Sequence, residues 1–245
     1  MTEFGGGGAF EAGPWINSEE KTWDSTKKIS VQGAVKREST FSAEVEGDML
    51  HIKGNGIPPT EMGNFPVASS DPAYQYDRNP NSIKPYTLEV SLPAEPKQAE
   101  EATCVGGAIG VSTLGPPIYS AFDAAGRDAS AYEIQDSCGG HPERTGQYHF
   151  HSLPACWEKS DLSKSGLVGW ALDGFGIFVE RDADGNMLQT SDLDECHGRT
   201  SEIQWNGKPV NVYHYVATMD FPYLVGCYRG TPISSATGIN IRPPR

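Results

Sequence analysis

The chain has 245 residues, enough for one large β-rich domain or two small ones. Its 19 Lys and Arg residues against 32 Asp and Glu residues give a formal net charge of −13, which repels polyphosphate backbones, so nucleic acid is excluded as an expected partner. No apolar run reaches the roughly 18 residues of a spanning helix, so membrane insertion is not expected either.

The first 25 residues predict a flexible leader whose only anchors are Trp15 and Trp23. Residues 1–13 have neither the basic nor the apolar region of a signal peptide, so we expect that an export signal has been removed. Residues 26–245 then form a single β-rich domain, with a possible sub-boundary near residue 100.

Alternating runs predict strands in residues 29–56, with Gly47 and Asp48 at a turn, and again in residues 87–92. The segment between them, residues 56–85, is rich in proline and longer than an ordinary connection, which is typical of a functional loop. Residues 93–102 are charged and predict a linker.

Four β-branched or aromatic runs follow, in residues 107–113, 147–153, 166–190 and 202–221. Asp184-Gly185 and Asn206-Gly207 predict hairpin turns, because both dipeptides tolerate the positive φ of tight turns. The sequence therefore predicts a mainly β chain, a single antiparallel β-sandwich or barrel-like domain with long Pro/Gly-rich loops. No internal repeat is evident beyond the echo of YHFH at Tyr148 in YHY at Tyr213.

Five cysteines occur without a CxxC pair, which disfavours a zinc ribbon or a thioredoxin-like site. We expect two disulfides and one remaining thiol, as in a secreted or periplasmic protein. Cys138 with Cys156 and Cys196 with Cys227 would each close a short loop around histidine segments, although one sequence does not fix the pairing. Reduced, buried thiols in a cytosolic protein are the alternative.

Histidines concentrate near these cysteines, and two of them, His149 and His151, lie two residues apart in QYHFHSL. Residues i and i+2 of a strand point to the same face, so both imidazoles can reach one ion. Neutral imidazole suits zinc, copper, iron and nickel, and zinc or copper is the cofactor we expect. The plain alternative is a pair of structural hydrogen-bonding rings.

The third metal ligand is left open by the sequence. His214 in VNVYHYVA is the first choice, and His141, eight residues before His149, competes with it. His197, beside Cys196, is a further candidate. Three histidines with an open position are typical of catalytic zinc, whereas four closed ligands are typical of a structural site.

Two carboxylates are candidates for a catalytic role, Asp173 in WALDGFGIF and Glu195 in SDLDECHGR. A carboxylate among apolar neighbours can orient a histidine ligand or act as a general base. Asp173-Gly174 can equally form a turn. RDADGN at residues 181–186 lacks the frame of an EF-hand loop and favours a hairpin.

Several ordered motifs together resemble the YHYH domain family: DSCGGHPERTGQYHFHSLPAC, GWALDGFGIF, LDECHG and VYHYVATMDFPYLVGCYRG, with KGNGIPPTEMGNFP and GRDASAYEIQ. The resemblance covers roughly residues 50–230 and implies an exported, metal-binding protein. Two positions depart from the name motif: Phe150 replaces its second tyrosine, and Val216 stands where a histidine would complete the second copy. Motif residues carried over are His141, Tyr148, His149, His151, Asp173, Asp194, Glu195, Cys196, His197, Tyr213, His214 and Cys227.

The sequence is consistent with two functions. The first is a zinc- or copper-dependent enzyme with a small-molecule or glycan substrate, hydrolytic with zinc and oxidative with copper. The second is a non-catalytic extracellular module with a closed metal site and disulfides that recognises a surface glycan or partner. Aromatic residues near Phe65 and in residues 74–77 would form its contact surface.

Overall fold

The computed structural model describes residues 12–205, 207–239 and 241, and it is mainly β, as predicted. Its one α-helix is α1 (Ala129–Tyr132), and short 3-10 helices span Pro72–Gln75, Trp157–Lys159, Asp161–Ser165 and Thr190–Asp192. The strands are β1 (Ile16–Asn17), β2 (Thr22–Trp23), β3 (Phe41–Glu46), β4 (Met49–Gly54), β5 (Leu88–Pro93), β6 (Gln98–Cys104), β7 (Ala108–Ser112), β8 (Pro117–Tyr119), β9 (Gly140–Pro142), β10 (Tyr148–Phe150), β11 (Leu167–Ala171), β12 (Gly176–Phe178), β13 (Gly198–Trp205), β14 (Lys208–Val216) and β15 (Cys227–Gly230).

The largest sheet has eight strands in the order β13-β14-β12-β11-β7-β8-β10-β9, and it is open at both ends within the described residues. Its neighbours are antiparallel except for the parallel pairs β8 with β10 and β12 with β14. The three-stranded sheet β3-β4-β5 contributes Ile52, Leu88 and Val90 to the same hydrophobic cluster as Ile109 and Ile118 of the large sheet. The sheets therefore share one core, in the manner of a sandwich.

Two local predictions differ from the structure. The segment predicted as a charged linker contains the start of β6, which pairs with β15. Its charges lie on an edge strand, where they face solvent, so main-chain pairing overrides a composition unfavourable for strands. The expected strand at residues 29–37 makes only isolated bridges, through Val31 and Val35.

The predicted leader is ordered in the part that the structure describes, since Trp15 is buried and its Nε1 donates to the carbonyl of Ala131. Residues 1–11 of that leader, and Asn206 of the predicted second hairpin turn, lie outside the described residues. Strands β13 and β14 nevertheless pair up to Trp205 and Lys208. No helix among the described residues is long and apolar enough to cross a membrane.

The large sheet consists of two halves with the same strand order. Counted from its centre, β7-β8-β10-β9 matches β11-β12-β14-β13, and in both halves the pairings run antiparallel, parallel, antiparallel. The sequence shows the same relation, because Gly107, Gly110, Gly115, Ile118 and Asp123 recur as Gly166, Gly169, Gly174, Ile177 and Asp182. The prediction of no repeat beyond the tyrosine-histidine echo was therefore wrong.

A candidate metal centre

Strands β9 and β10 bring three histidines together. His149 lies directly opposite His141 in the antiparallel pair, so both side chains leave the sheet on the same face. His151 follows His149 by two residues and joins them on that face. His141, His149 and His151 are 3%, 3% and 4% exposed, and their ligand atoms lie within 4.8 Å of one another. The group could hold a metal ion.

The turn before His141 is organised by the buried carboxylate of Asp136. Its oxygens accept main-chain N–H groups from Gly63, Cys138 and Gly140 and the hydroxyl of Tyr148, at 2.8 to 3.2 Å. Burial raises the pKa of Asp136, and these hydrogen bonds lower it in part. Gly140 is required here, because a Cβ would lie 2.3 Å from the Tyr148 ring.

A disulfide between Cys138 and Cys156 encloses the three histidines in one loop of the chain, with a sequence separation of 18. The main-chain N–H of Ala155 also donates to the carbonyl of Cys138 at 2.9 Å. The strands that carry the histidines are thus tied together at their outer ends, which restricts the loop in the unfolded chain as well.

Main-chain hydrogen bonds orient two of the rings. Nδ1 of His149 lies 3.2 Å from the carbonyl of Gln147, and Nδ1 of His151 lies 2.6 Å from that of Ser120. A carbonyl only accepts, so in each neutral ring the proton sits on Nδ1 and the lone pair of Nε2 points inward. The two Nε2 atoms lie 3.0 Å apart.

Glu133, the residue at the C-terminal end of α1, supplies a fourth inward atom. Its Oε2 lies 3.2 Å from Nε2 of His151 and 3.4 Å from Nε2 of His141. Asp128 caps the N-terminus of helix α1, and its side chain accepts the N–H of Ala131 at 3.2 Å. One helical turn thus places this carboxylate over the histidines.

The cluster contains more acceptors than donors. Three buried atoms have no hydrogen-bond partner among the described residues: both ring nitrogens of His141 and Oε2 of Glu133. Buried polar atoms without partners are costly, so converging acceptors call for a cation. Ligand atoms at 2.0–2.1 Å from a tetrahedral zinc ion lie about 3.3 Å from one another. Three of the contacts in this cluster, at 3.0, 3.2 and 3.4 Å, are close to that separation.

Burial and neighbouring charges favour the neutral form of His141 and His149. Burial lowers the pKa of His141 and of His149 well below 6.5, and the neighbouring imidazoles lower both further. Neutral imidazole is the form that binds metals. Lys28 donates its Nζ protons to Ser130 and Gln135 beside the cluster, and burial lowers its pKa to about 7 although Asp128 and Glu133 raise it.

Glu133 and Lys28 were missed by the sequence reasoning. Glu133 lies within GRDASAYEIQ, one of the segments that carried the family resemblance, so a signal was present. Lys28 stands in an ordinary polar stretch more than 100 residues away from the histidines, and only the tertiary structure brings it near them.

His214, the first choice for the third ligand, lies elsewhere. It is on β14, five strand spacings from β10 in the sheet, which corresponds to roughly 24 Å. Its Nε2 pairs with Glu180 Oε1, and its Nδ1 lies 3.0 Å from the carbonyl of Val212. The combination of His149, His151 and His214 is therefore replaced by one with His141, the competing choice.

The other predicted residues are also outside the cluster. His197 has φ of +71°, and its Nε2 lies 3.1 Å from Thr190 Oγ1 and 3.2 Å from Thr218 Oγ1. Asp173 is buried and accepts Tyr215 Oη at 2.6 Å, so it joins β14 to the turn that ends at β12. Glu195 is exposed. None of the hydrogen bonds described for these side chains reaches the three histidines.

The second predicted disulfide, Cys196 with Cys227, is also formed, and Cys104 is the free cysteine, exposed on β6. Two disulfides are compatible with an extracellular setting.

These features define a class: a β-rich, disulfide-bonded protein with a buried three-histidine cluster. Residues 89–189 match the model of the YHYH protein family, which supports the assignment to the YHYH family. The matched region includes Glu133, the three histidines and the first disulfide, but neither His197 nor His214. No curated protein and no solved structure matches the chain.

Proposed function

We propose that this protein is an exported metal-binding module that holds one zinc or copper ion through His141, His149, His151 and Glu133. The observation that carries the proposal is the convergence of buried acceptor atoms: the three histidines offer ligand atoms within 4.8 Å of one another, and Glu133 Oε2 lies 3.2 Å from Nε2 of His151. Nδ1 of two of these histidines is engaged by carbonyls. Imidazole and carboxylate ligands fit both ions.

A structural role for the ion follows from the closure of the site. Four protein donors would complete a tetrahedral shell, and all four residues are 5% exposed or less. They come from the end of α1, from β9 and from β10 with the residue that follows it, so an ion here would join α1 to the β9–β10 pair. Closed four-ligand sites of this kind stabilise folds rather than activate water.

The test is elemental analysis by inductively coupled plasma mass spectrometry on protein purified without a His-tag or added metal. We expect about one equivalent of zinc or copper in the parent and none in the variant His149→Ala/His151→Ala. His214→Ala is the matched control, because its ring is equally buried but outside the cluster. Equal metal content in the cluster variant and the control would refute the site.

A metalloenzyme is the second candidate function, and the position of Glu133 favours it. A carboxylate near two imidazoles can act as a general base instead of a ligand. Glu133→Gln separates these roles. A large loss of metal affinity means that Glu133 is a ligand and the site is closed. Retained metal, together with a cobalt spectrum that changes with azide, means an open position and a catalytic role.

The partner expected from the sequence is a glycan or another small molecule at the protein surface. The aromatic residues first considered for it, Phe65 and Tyr74, pack instead against a small buried cluster. An exposed patch of Phe122, Met219 and Phe221 is a better candidate, with the two phenyl rings 5.2 Å apart. Retention on polysaccharide resins should fall in Phe122→Ser/Phe221→Ser if this patch makes the contact.

A further inference from the structure

His214 is the counterpart of His149 in the second half of the large sheet. Both rings are buried, and both place Nδ1 near the carbonyl two residues earlier, at 3.0 and 3.2 Å. The residue opposite His214 on the neighbouring strand is Arg199, where the first half has His141. Val216 takes the position of His151. At the three corresponding positions the second half therefore offers one imidazole, and it lacks the set of metal ligands found in the first half.

A cavity of about 270 Å³ lies beside His214. The β13–β14 hairpin lines the cavity with Ile203, Trp205 and Tyr213, and Phe175 contributes from the turn before β12. The volume is just below the usual range of about 300–1,000 Å³ for small-molecule sites, which suits a small ligand, and mainly apolar walls with a few polar groups are typical of such sites.

The hydrogen-bond donors of His214 and Tyr213 are already engaged, which leaves the cavity with few donors for an anion. Both ring nitrogens of His214 are engaged, by Val212 and Glu180, and Ser201 occupies the other oxygen of Glu180. The hydroxyl of Tyr213 donates to Asp194 at 3.2 Å. What the cavity offers to a ligand is aromatic surface and the carboxylate of Glu95, an exposed residue among those that line it.

We propose that this cavity binds a small organic cation, of the quaternary ammonium class. Phe175, Trp205 and Tyr213 line the cavity, and aromatic rings attract a desolvated cation through their quadrupoles. Glu95 adds an opposite charge. Two basic residues are near by strand register, Arg199 opposite His214 and Lys208 opposite Trp205, but neither lines the cavity. The net charge of −13 also favours a cationic ligand over an anionic one.

The experiment is isothermal titration calorimetry with choline and its neutral isostere 3,3-dimethylbutan-1-ol, both in EDTA. We expect choline to bind about tenfold more tightly than the alcohol, as cation–π attraction in a partly desolvated site implies. The variant His149→Ala/His151→Ala should bind choline as the parent does, so this result is independent of the proposed metal site. Equal affinity for the two probes, or no binding of choline, would overturn the proposal.

Two variants locate the site. Trp205→Leu keeps apolar volume but removes the indole, and should weaken choline about fivefold or more while leaving the alcohol unchanged. Glu95→Gln changes an exposed residue, so folding is preserved, and choline should weaken about threefold. Trp23→Leu is the control for a tryptophan outside the cavity and should have no effect. Unchanged choline binding in both Trp205→Leu and Glu95→Gln would refute this location.

Discussion

The neutral state of the buried histidines predicts a specific dependence of stability on pH in the metal-free protein. The perturbation is the replacement of His141 and His149 by glutamine, which keeps a polar side chain of similar size but does not titrate. Both histidines have a pKa well below the ordinary value of 6.5, first because of burial. In the unfolded chain they take up protons near that ordinary value.

The sign follows from proton counting. Below about pH 6.5 the unfolded state binds more protons than the folded state, so the free energy of unfolding falls as the pH falls. Between about pH 7.5 and about pH 5.5 each histidine that stays neutral in the folded state removes roughly 1.4 kcal/mol, about 3 kcal/mol for the pair. Asp77 acts in the opposite direction, since burial raises its pKa to about 6 and the folded state gains a proton.

The assay must therefore compare variant with parent. Urea unfolding in EDTA at the two pH values gives the change in the free energy of unfolding for each protein, and the contribution of Asp77 cancels in the difference. We expect the parent to lose about 3 kcal/mol more than His141→Gln/His149→Gln on acidification. If both proteins respond equally to pH, the two rings are not held neutral in the folded state.

Three further perturbations test the site and its support. Removing metal with EDTA should lower the melting temperature of the parent, measured by calorimetry, but not that of His149→Ala/His151→Ala. For an ion present at a thousand times its Kd, the parent should lose about 4 kcal/mol of its free energy of unfolding. Cys138→Ser/Cys156→Ser should lower the free energy of unfolding by about 3 kcal/mol and weaken metal binding. Cys196→Ser/Cys227→Ser should lower it by about as much and leave the metal content unchanged. Equal metal loss in both variants would argue against a role of the first disulfide in supporting the metal site. Gly174→Ala, at φ of +93° with its new Cβ 2.7 Å from a proline ring, should cost more than about 2 kcal/mol in urea unfolding; a change below about 0.5 kcal/mol would contradict the close packing.

The sequence predicted the core of the candidate metal centre because two of its residues depend only on local geometry. His149 and His151 share a face through the two-residue period of a strand. His141 was left as an alternative, since its position depends on the register of β9 with β10. Glu133 depends on where α1 packs over the sheet, and no periodicity in the sequence encodes that contact.

The preference for His214 failed for a different reason. Its neighbours repeat the pattern around His149, and similar local patterns suggested a shared site. The chain instead uses two parallel pairings, β8 with β10 and β12 with β14, which carry the two patterns to distant parts of one sheet. Strand order of this kind is set by long-range packing, so similarity of motif did not imply proximity.

The two halves of the large sheet share the residues that build the turn and differ in the residues that could bind a ligand. Asp194 repeats the role of Asp136, because its carboxylate accepts the N–H groups of Cys196 and Gly198 at 3.0 and 2.9 Å and the hydroxyl of Tyr213. Each half thus has the same aspartate, cysteine, glycine and tyrosine around one histidine. The surrounding positions differ, with histidines in the first half and Arg199 and Val216 in the second. The shared residues fix where a histidine stands, and its neighbours decide whether the site can take a metal ion or an organic ligand.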